Sequence, residues 1–345
     1  MKINKIEIKP YKIKLKNTFI NSRTEYSFKE GFIIELSIDG IVGYGEIVFL
    51  DGFVSWNKQE IYWKVEELRS LLIDNSNYTK NDLFDLFKVF LSEIPPMHFG
   101  FDVALLDVLS KKKSISLAQY LNPESAMKSV KLSTVYLGTK TFNNKSVKVK
   151  LLCKNVKDDI DFLNDIFNQY PSDTLFRLDA NKGYILSDAL IMCDFLKNKN
   201  IDYLEEPLID MSEKNLKKIK ESFKIKIAID ETVLDHQDKT TIFIKSGLID
   251  VVVLKASLYG GVKKILQLNR LINQHNVDLI FSSSLENYIG TMSIINIISA
   301  LNLNSHHGVN NQLFFNFPEN NLFNEESESV DIESIKGIGV DSYGP

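Results

Sequence analysis

SVKVKLLC, residues 146–153, opens the part of the chain whose pattern decides the fold. Alternating valine and lysine is a strand pattern, and a strand points residues i and i+2 to one face. Lys148 and Lys150 therefore share a side at close range. Like charges so placed repel, and a purely structural sheet has no use for them. Similar short, apolar, β-branched runs surround this one: KLSTVYL before it, then LFRLDAN, IDYLEEP, IKIAIDE, LIDVVVLKAS, VDLIFSSSLE and SHHGVN after it. Amphipathic segments lie between them. In VKDDIDFLNDIFNQY, Val156, Ile160, Leu163, Phe167 and Tyr170 form one apolar stripe. Ser187 is placed as the N-cap of SDALIMCDFLKN, and Gly260–Gly261 opens a further helix. From the second strand on, strands recur roughly every 25 residues, the period of a βα unit. Eight such strands suggest a barrel. The loop GTKTFNN between the first two is too short for a helix, so the expectation is an α/β chain with a (β/α)7β barrel.

The flanks read differently. Residues 1–50 alternate as in GFIIELSI, followed by the turn Asp39–Gly40, which predicts a small antiparallel sheet. Residues 58–121 carry apolar residues at helical spacing, as in NDLFDLFKVFLSEI. The expected division is an α+β unit over 1–125, the barrel over 126–315, and a tail over 316–345 whose GIGVD stretch returns to the first unit.

Composition narrows the function classes. A chain of 345 residues with 44% hydrophobic and 25% charged residues fits a globular protein larger than one small core. A net charge of −4 argues against a nucleic-acid footprint. No apolar run is long enough to span a bilayer. The first residues alternate as a strand does, so they are not read as a signal peptide. Two cysteines, Cys153 and Cys193, make no disulfide framework and point to a reducing cytoplasm.

A βα barrel carries its active site at the C-terminal ends of its strands. Here those ends are ionisable or polar: Lys148 and Lys150, Asp179 and Asn181, Glu205 and Glu206, Asp230 and Glu231, Lys255, then Ser282, Ser283, Ser284 and Glu286. Asp179, Glu205 and Asp230 occupy equivalent positions on successive strands and would converge on the barrel axis. Converging carboxylates repel unless a cation lies between them, and an all-oxygen donor set suits Mg²⁺, with Mn²⁺ as a substitute. Asn181, Glu206 and Glu231 would orient those ligands. A lysine is a poor base at its free pKa of ~10.4. A neighbouring ammonium and burial lower it, so Lys148 would make Lys150 a usable base. A metal and a tuned lysine together imply proton removal from a carbon next to a substrate carboxylate, with the enediolate charge stabilised by the metal. The expected partner is a small-molecule carboxylate.

The motifs KVK at 148–150, LDAN at 178–181, LEEP at 204–207, AIDE at 228–231 and LKAS at 254–257 resemble, in order and spacing, the muconate-lactonizing subgroup of the enolase superfamily. The resemblance covers nearly the whole chain. It implies a capping domain built from the N-terminal part and the tail, Mg²⁺ on Asp179, Glu205 and Asp230, and Lys150 and Lys255 as acid/base residues. Within the subgroup, GYGEIVFLDGF at 43–53 and SSSLENYIG at 282–290 resemble the o-succinylbenzoate synthase family. That implies a Mg²⁺-dependent syn-dehydration in menaquinone biosynthesis. Lys150 would be base and then acid, and Lys255 a stabilising cation. Ser282, Ser283, Ser284 and Glu286 would lie at the substrate carboxylates, with Arg23 reaching the succinyl group. Two stretches depart from that family: HHGVNNQLFF stands where a Gly-Thr turn is common, and Phe49 and Asp51 stand in the cap segment. Racemases of N-acylamino acids and dipeptide epimerases share the scaffold, but dipeptide epimerases carry Asp-x-Asp where Gly308, Val309, Asn310 and Asn311 stand here. A non-catalytic barrel would be expected to lose a lysine or a ligand, and none is missing.

Overall fold

The computed structural model describes residues 1–342 except 21–24, 51–56, 74–77, 125, 139–144, 318–321 and 324–327, with backbone only at 17–20, 25 and 26. Arg23 lies outside the described residues. The chain begins with three antiparallel strands, β1 (Ile3–Ile20), β2 (Glu25–Ile38) and β3 (Ile41–Val48). The β2–β3 turn has Asp39 at φ 51° and Gly40 at φ 83°, the hand that two-residue hairpins need to follow strand twist. Four helices follow: α1 (Lys58–Ile73), α2 (Lys80–Leu91), α3 (Pro95–Lys112) and α4 (Leu117–Leu121). Thr79 and Asp82 close a reciprocal capping box at the start of α2. Helix α3 lies close on the sheet because Gly45 has no side chain there. A Cβ at that position would stand 2.0 Å from the Gly100 carbonyl oxygen.

The barrel portion follows the βα period. Its strands are β4 (Ser129–Lys131), β5 (Thr134–Val135), β6 (Ser146–Lys150), β7 (Leu175–Asp179), β8 (Ile201–Glu205), β9 (Ile227–Ile229), β10 (Val251–Leu254) and β11 (Asp278–Phe281). Helices α5 (Val156–Phe167), α6 (Leu186–Leu196), α7 (Glu213–Ser222), α8 (Glu231–Asp235), α9 (Gln237–Lys245), α10 (Ala256–Tyr259), α11 (Val262–Gln274) and α12 (Tyr288–Ala300) intervene. Strands β5 to β11 form one parallel sheet in sequence order. Inside the sheet, Tyr203, Ala228, Val251, Val253 and Ile280 make an apolar plug.

Three details differ from the sequence reading. The eighth strand is reduced to single bridges: His307 pairs with Leu132 on one side and Gly308 with Ser282 on the other, and this joins the two edges of the sheet. The reason is local. The His307 ring accepts the Phe281 N–H at 3.0 Å, so a side chain takes a place that a ladder carbonyl would hold. Ser187 is not an N-cap, because the helix already starts at Leu186 with Ile185 as its cap residue. The strand interiors are not wholly apolar either. Arg177 is buried on β7, donating to Asp202 at 2.9 Å and to the His306 carbonyl at 2.7 Å.

The last described segment runs back along the molecule. Strand β12 (Ser329–Asp331) pairs antiparallel with β4. Gly337 accepts from the Leu117 N–H, and Asp107 of α3 accepts from the Ile338 N–H at 2.8 Å.

The N-terminal unit grips the barrel through two buried carboxyls at helix N-termini, where backbone N–H groups lack intrahelical partners. Asp102 of α3 accepts from the Val262 N–H at 2.8 Å. Glu46 of β3 accepts from Asn287 and Gly290 N–H groups and from the Tyr11 hydroxyl. Burial pushes both carboxyls up to about 7. Their folded pKa values lie above the ordinary carboxylate range, so the stability they contribute is complete below that range and lost as pH rises through 7. The urea midpoint is expected to fall between pH 6 and pH 8, and Glu46→Gln to reduce that fall. Equal pH dependence in both proteins would show that Glu46 carries no such linkage.

Candidate active site

Parallel register builds the site. Lys150 stands opposite Asp179, and Asp179 opposite Glu205, at the C-terminal ends of β6, β7 and β8. Asp230 follows β9 directly and Lys255 follows β10. All four of the later groups are buried, Glu205 completely so. The sequence-derived lysines and carboxylates are thus brought to one mouth.

The pairing among them is specific. The Lys148 ammonium lies 2.8 Å from Asp179 Oδ2 and 2.8 Å from Glu205 Oε2. Lys255 donates to Asp230 Oδ2. Among the described residues, no three carboxylates, imidazoles or thiolates close around a common point for a metal ion. The chemistry of the donor set nevertheless fits a hard divalent cation. Asp179, Glu205 and Asp230 are close enough that Asp179 and Asp230, after burial itself, push the Glu205 carboxyl well above its usual range. Asp230 Oδ1 is buried, with no hydrogen-bond partner among the described residues. A buried, repelling, partly orphaned carboxylate trio is what a divalent cation would relieve.

The two lysines of the opening motif separate here. Burial alone would lower Lys148, but Asp179, Glu205 and Asp230 around it hold its pKa well above the usual value. Lys148 is a fixed cation. Lys150 moves the other way: burial lowers it first, and the Lys148 and Lys255 ammoniums lower it further against the pull of Asp179. Lys150 therefore has the character of a base. Of the two expected causes, burial is larger than the neighbouring Lys148 ammonium, and Lys255 adds to both.

Supporting groups surround the acids. Glu206 accepts from the Asp230 N–H at 2.9 Å and from Thr232 N–H and hydroxyl at 2.8 and 2.9 Å, which fixes the peptide that carries Asp230. The Asn181 N–H donates to Asp179 Oδ1 at 3.1 Å. Glu231, beside Asp230, is pushed up to about 7 by burial and then by Asp230. Non-glycine residues with positive φ gather at these strand ends: Cys153, Asn181, Lys182, Glu206 and Leu285. Such backbone costs energy and concentrates where geometry is over-determined by its surroundings.

A cavity opens at this mouth. Its charged lining is Lys148, Lys150, Asp179, Asp230, Glu231 and Lys255, with Asn181 beside them. Among the described residues, the rest of the lining is Leu50, Val135, Ser282, Ser283, Leu285, Gly308 and Phe314, none of them ionisable. Ser282 and Ser283 reach the cavity. Ser284 and Glu286 are buried behind it, where Glu286 receives the Ser283 hydroxyl at 2.8 Å and the Ser257 hydroxyl at 2.5 Å. Asn311 is also committed: its amide donates to the Glu286 carbonyl at 2.8 Å and to Thr291 at 2.9 Å. Leu50 and Phe314 escaped sequence reasoning, because an apolar residue far from the motifs carries no chemical signal before folding places it.

Comparison with known proteins agrees with this architecture. The family description "Enolase C-terminal domain-like" matches residues 138–341. A hydrophobic dipeptide epimerase of Enterococcus faecalis is 24% identical over 297 residues, covering 81% of each chain. An o-succinylbenzoate synthase of Aliivibrio fischeri is 27% identical over 288 residues, covering 81% of this chain and 82% of its own. The crystal structure of the Enterococcus faecalis dipeptide epimerase with Mg and L-Leu-L-Tyr superposes with a TM-score of 0.87 at 20% identity, over 99% of this chain and 100% of that one. The family match spans more than half of the chain, and the protein belongs to the enolase superfamily of enzymes.

Proposed function

We propose that the protein is an o-succinylbenzoate synthase, dehydrating 2-succinyl-6-hydroxy-2,4-cyclohexadiene-1-carboxylate to 2-succinylbenzoate, a step of menaquinone biosynthesis. The observation that carries this reading is the uncharged half of the cavity. Leu50, Val135, Leu285 and Phe314 offer an apolar wall for a carbocyclic ring, and Ser282, Ser283 and Gly308 offer polar groups without charge. Among the described residues, no carboxylate faces that half, so a dipeptide's ammonium group would be buried there without a counter-charge, which is costly. Asn311, already committed to Glu286 and Thr291, does not supply one.

In this reading Asp179, Glu205 and Asp230 hold Mg²⁺, which supplies electrostatic stabilisation of a substrate carboxylate. Glu206, Glu231 and Asn181 keep those carboxylates oriented. Lys150 removes the proton from the carbon next to the ring carboxylate. The C–H electron pair moves toward that carboxylate and returns to form the ring double bond as the C–O bond breaks. The Lys150 ammonium then gives its proton to the departing hydroxide on the same face, and water leaves. Lys255, directly after β10 and across the mouth, stabilises the charge that develops between the two steps.

The second reading is a racemase of N-acylamino acids or an epimerase of dipeptides on the same two lysines, favoured by the likeness to the Enterococcus epimerase. Mixing purified protein and Mg²⁺ with the cyclohexadiene carboxylate separates the two. Ultraviolet absorbance is expected to report its aromatisation. Absence of that change, together with racemisation of N-acylamino acids, would replace the first reading by the second.

A further inference from the structure

We infer that Lys29 is a positioning residue of the substrate pocket, acting through one peptide group on the Ser283 hydroxyl. Lys29 sits on β2, outside the barrel, and its side chain is 1% exposed. Its ammonium donates to the Ser284 carbonyl at 2.8 Å, across 255 residues of sequence, and also to the Phe49 carbonyl. The Ser284 carbonyl belongs to the same peptide unit as the Leu285 N–H. That N–H donates to Ser283 Oγ at 2.7 Å. A peptide unit is planar, so fixing its carbonyl fixes its N–H. Lys29 therefore aims the donor that holds the Ser283 hydroxyl, and Ser283 lines the cavity.

Two further observations strengthen this chain of contacts. Leu285 has φ 61°, a conformation a leucine does not hold unaided, so the Ser284–Leu285 peptide needs restraint from its surroundings. Behind the loop, Glu286 binds the Ser283 hydroxyl and the Ser284 N–H, and leaves the Ser284 carbonyl to Lys29. The second carbonyl on Lys29, that of Phe49, precedes Leu50, which also lines the cavity. One buried cation thus ties together two segments, far apart in sequence, that line the uncharged part of the cavity. A buried ammonium is costly, and this one binds the carbonyls of Phe49 and Ser284, whose chain neighbours Leu50 and Leu285 belong to one apolar cluster with Leu15, Leu258 and Phe315. Its use is explained by the direction it imposes.

This inference rests on the pocket reading proposed above, and its test separates the two. Lys29→Met is expected to raise KM for the carboxylate substrate about 10-fold, with kcat within about threefold of the parent, while Lys29→Arg keeps KM near the parent value. In a double-mutant cycle, Lys29→Met added to Ser283→Ala is expected to raise KM no further. A multiplicative effect, or an unchanged KM in Lys29→Met, overturns the inference. Should Lys29→Met not fold, Lys29→Gln carries the same readout at smaller amplitude. If the parent protein turns over neither substrate class, the functional reading fails by itself. Hydrogen exchange of the Leu285 amide then decides the structural claim. It is expected to quicken on loss of Lys29, and unchanged exchange refutes the claim.

Discussion

Lys150→Ala is expected to lower kcat by about 10³-fold or more while leaving the urea unfolding midpoint near that of the parent. Lys150 is the lysine at the mouth whose pKa is lowered, by burial first and then by the Lys148 and Lys255 ammoniums. The loss of a positioned general base removes a large fraction of the catalytic effect. The fold has little stake in the side chain, since the register of β6 on β7 is set by backbone bonds. Lys150→Arg is expected to be nearly as inactive, because a guanidinium stays protonated at working pH and cannot accept the proton. Isothermal titration with Mg²⁺ is expected to give similar affinity in Lys150→Ala and the parent. Turnover within tenfold of the parent in Lys150→Ala would assign the base elsewhere.

Lys255→Ala is the second large effect, and its pattern distinguishes the two chemistries. In the dehydration reading Lys255 is a cation beside the developing charge. Its loss is expected to lower kcat by about 10²-fold or more, with exchange of the substrate α-proton into D₂O reduced in step. In the racemase reading the two lysines serve opposite enantiomers. Lys255→Ala would then abolish exchange from one enantiomer and leave the other's exchange measurable by proton NMR. Retained exchange from a single enantiomer of an N-acylamino acid therefore selects the second reading. Lys255 also holds Asp230, so a loss of Mg²⁺ affinity is expected alongside.

Much of this arrangement was legible before folding, for a physical reason. An apolar run ending in an ionisable residue is a local signal, and the barrel turns each such ending into one element of a common mouth. Lys150, Asp179, Glu205, Asp230 and Lys255 were visible in that way. What stayed hidden depends on contacts between distant strands. The spacing of Lys148 and Lys150 describes their shared face, but the double ion pair of Lys148 with Asp179 and Glu205 requires two further strands in register. Arg177 sits inside an apolar run, and only the fold brings Asp202 and the His306 carbonyl to it. The eighth strand was overdrawn because nothing local says that the His307 ring takes a backbone position. Lys29 stood in an ordinary β-strand, and its partner lies near the other end of the chain.

The run of the last described segment onto α3 has a consequence for synthesis. Asp107 meets Ile338 across 231 residues, and Lys111 meets the Val340 carbonyl across 229. At translation rates of about 5–20 residues per second, α3 leaves the ribosome roughly 10–50 s before the segment that satisfies Asp107 and Lys111. During that interval the first-made unit lacks partners that its finished form keeps buried. The nascent chain must wait with an open seam, and that seam is where a chaperone would find it.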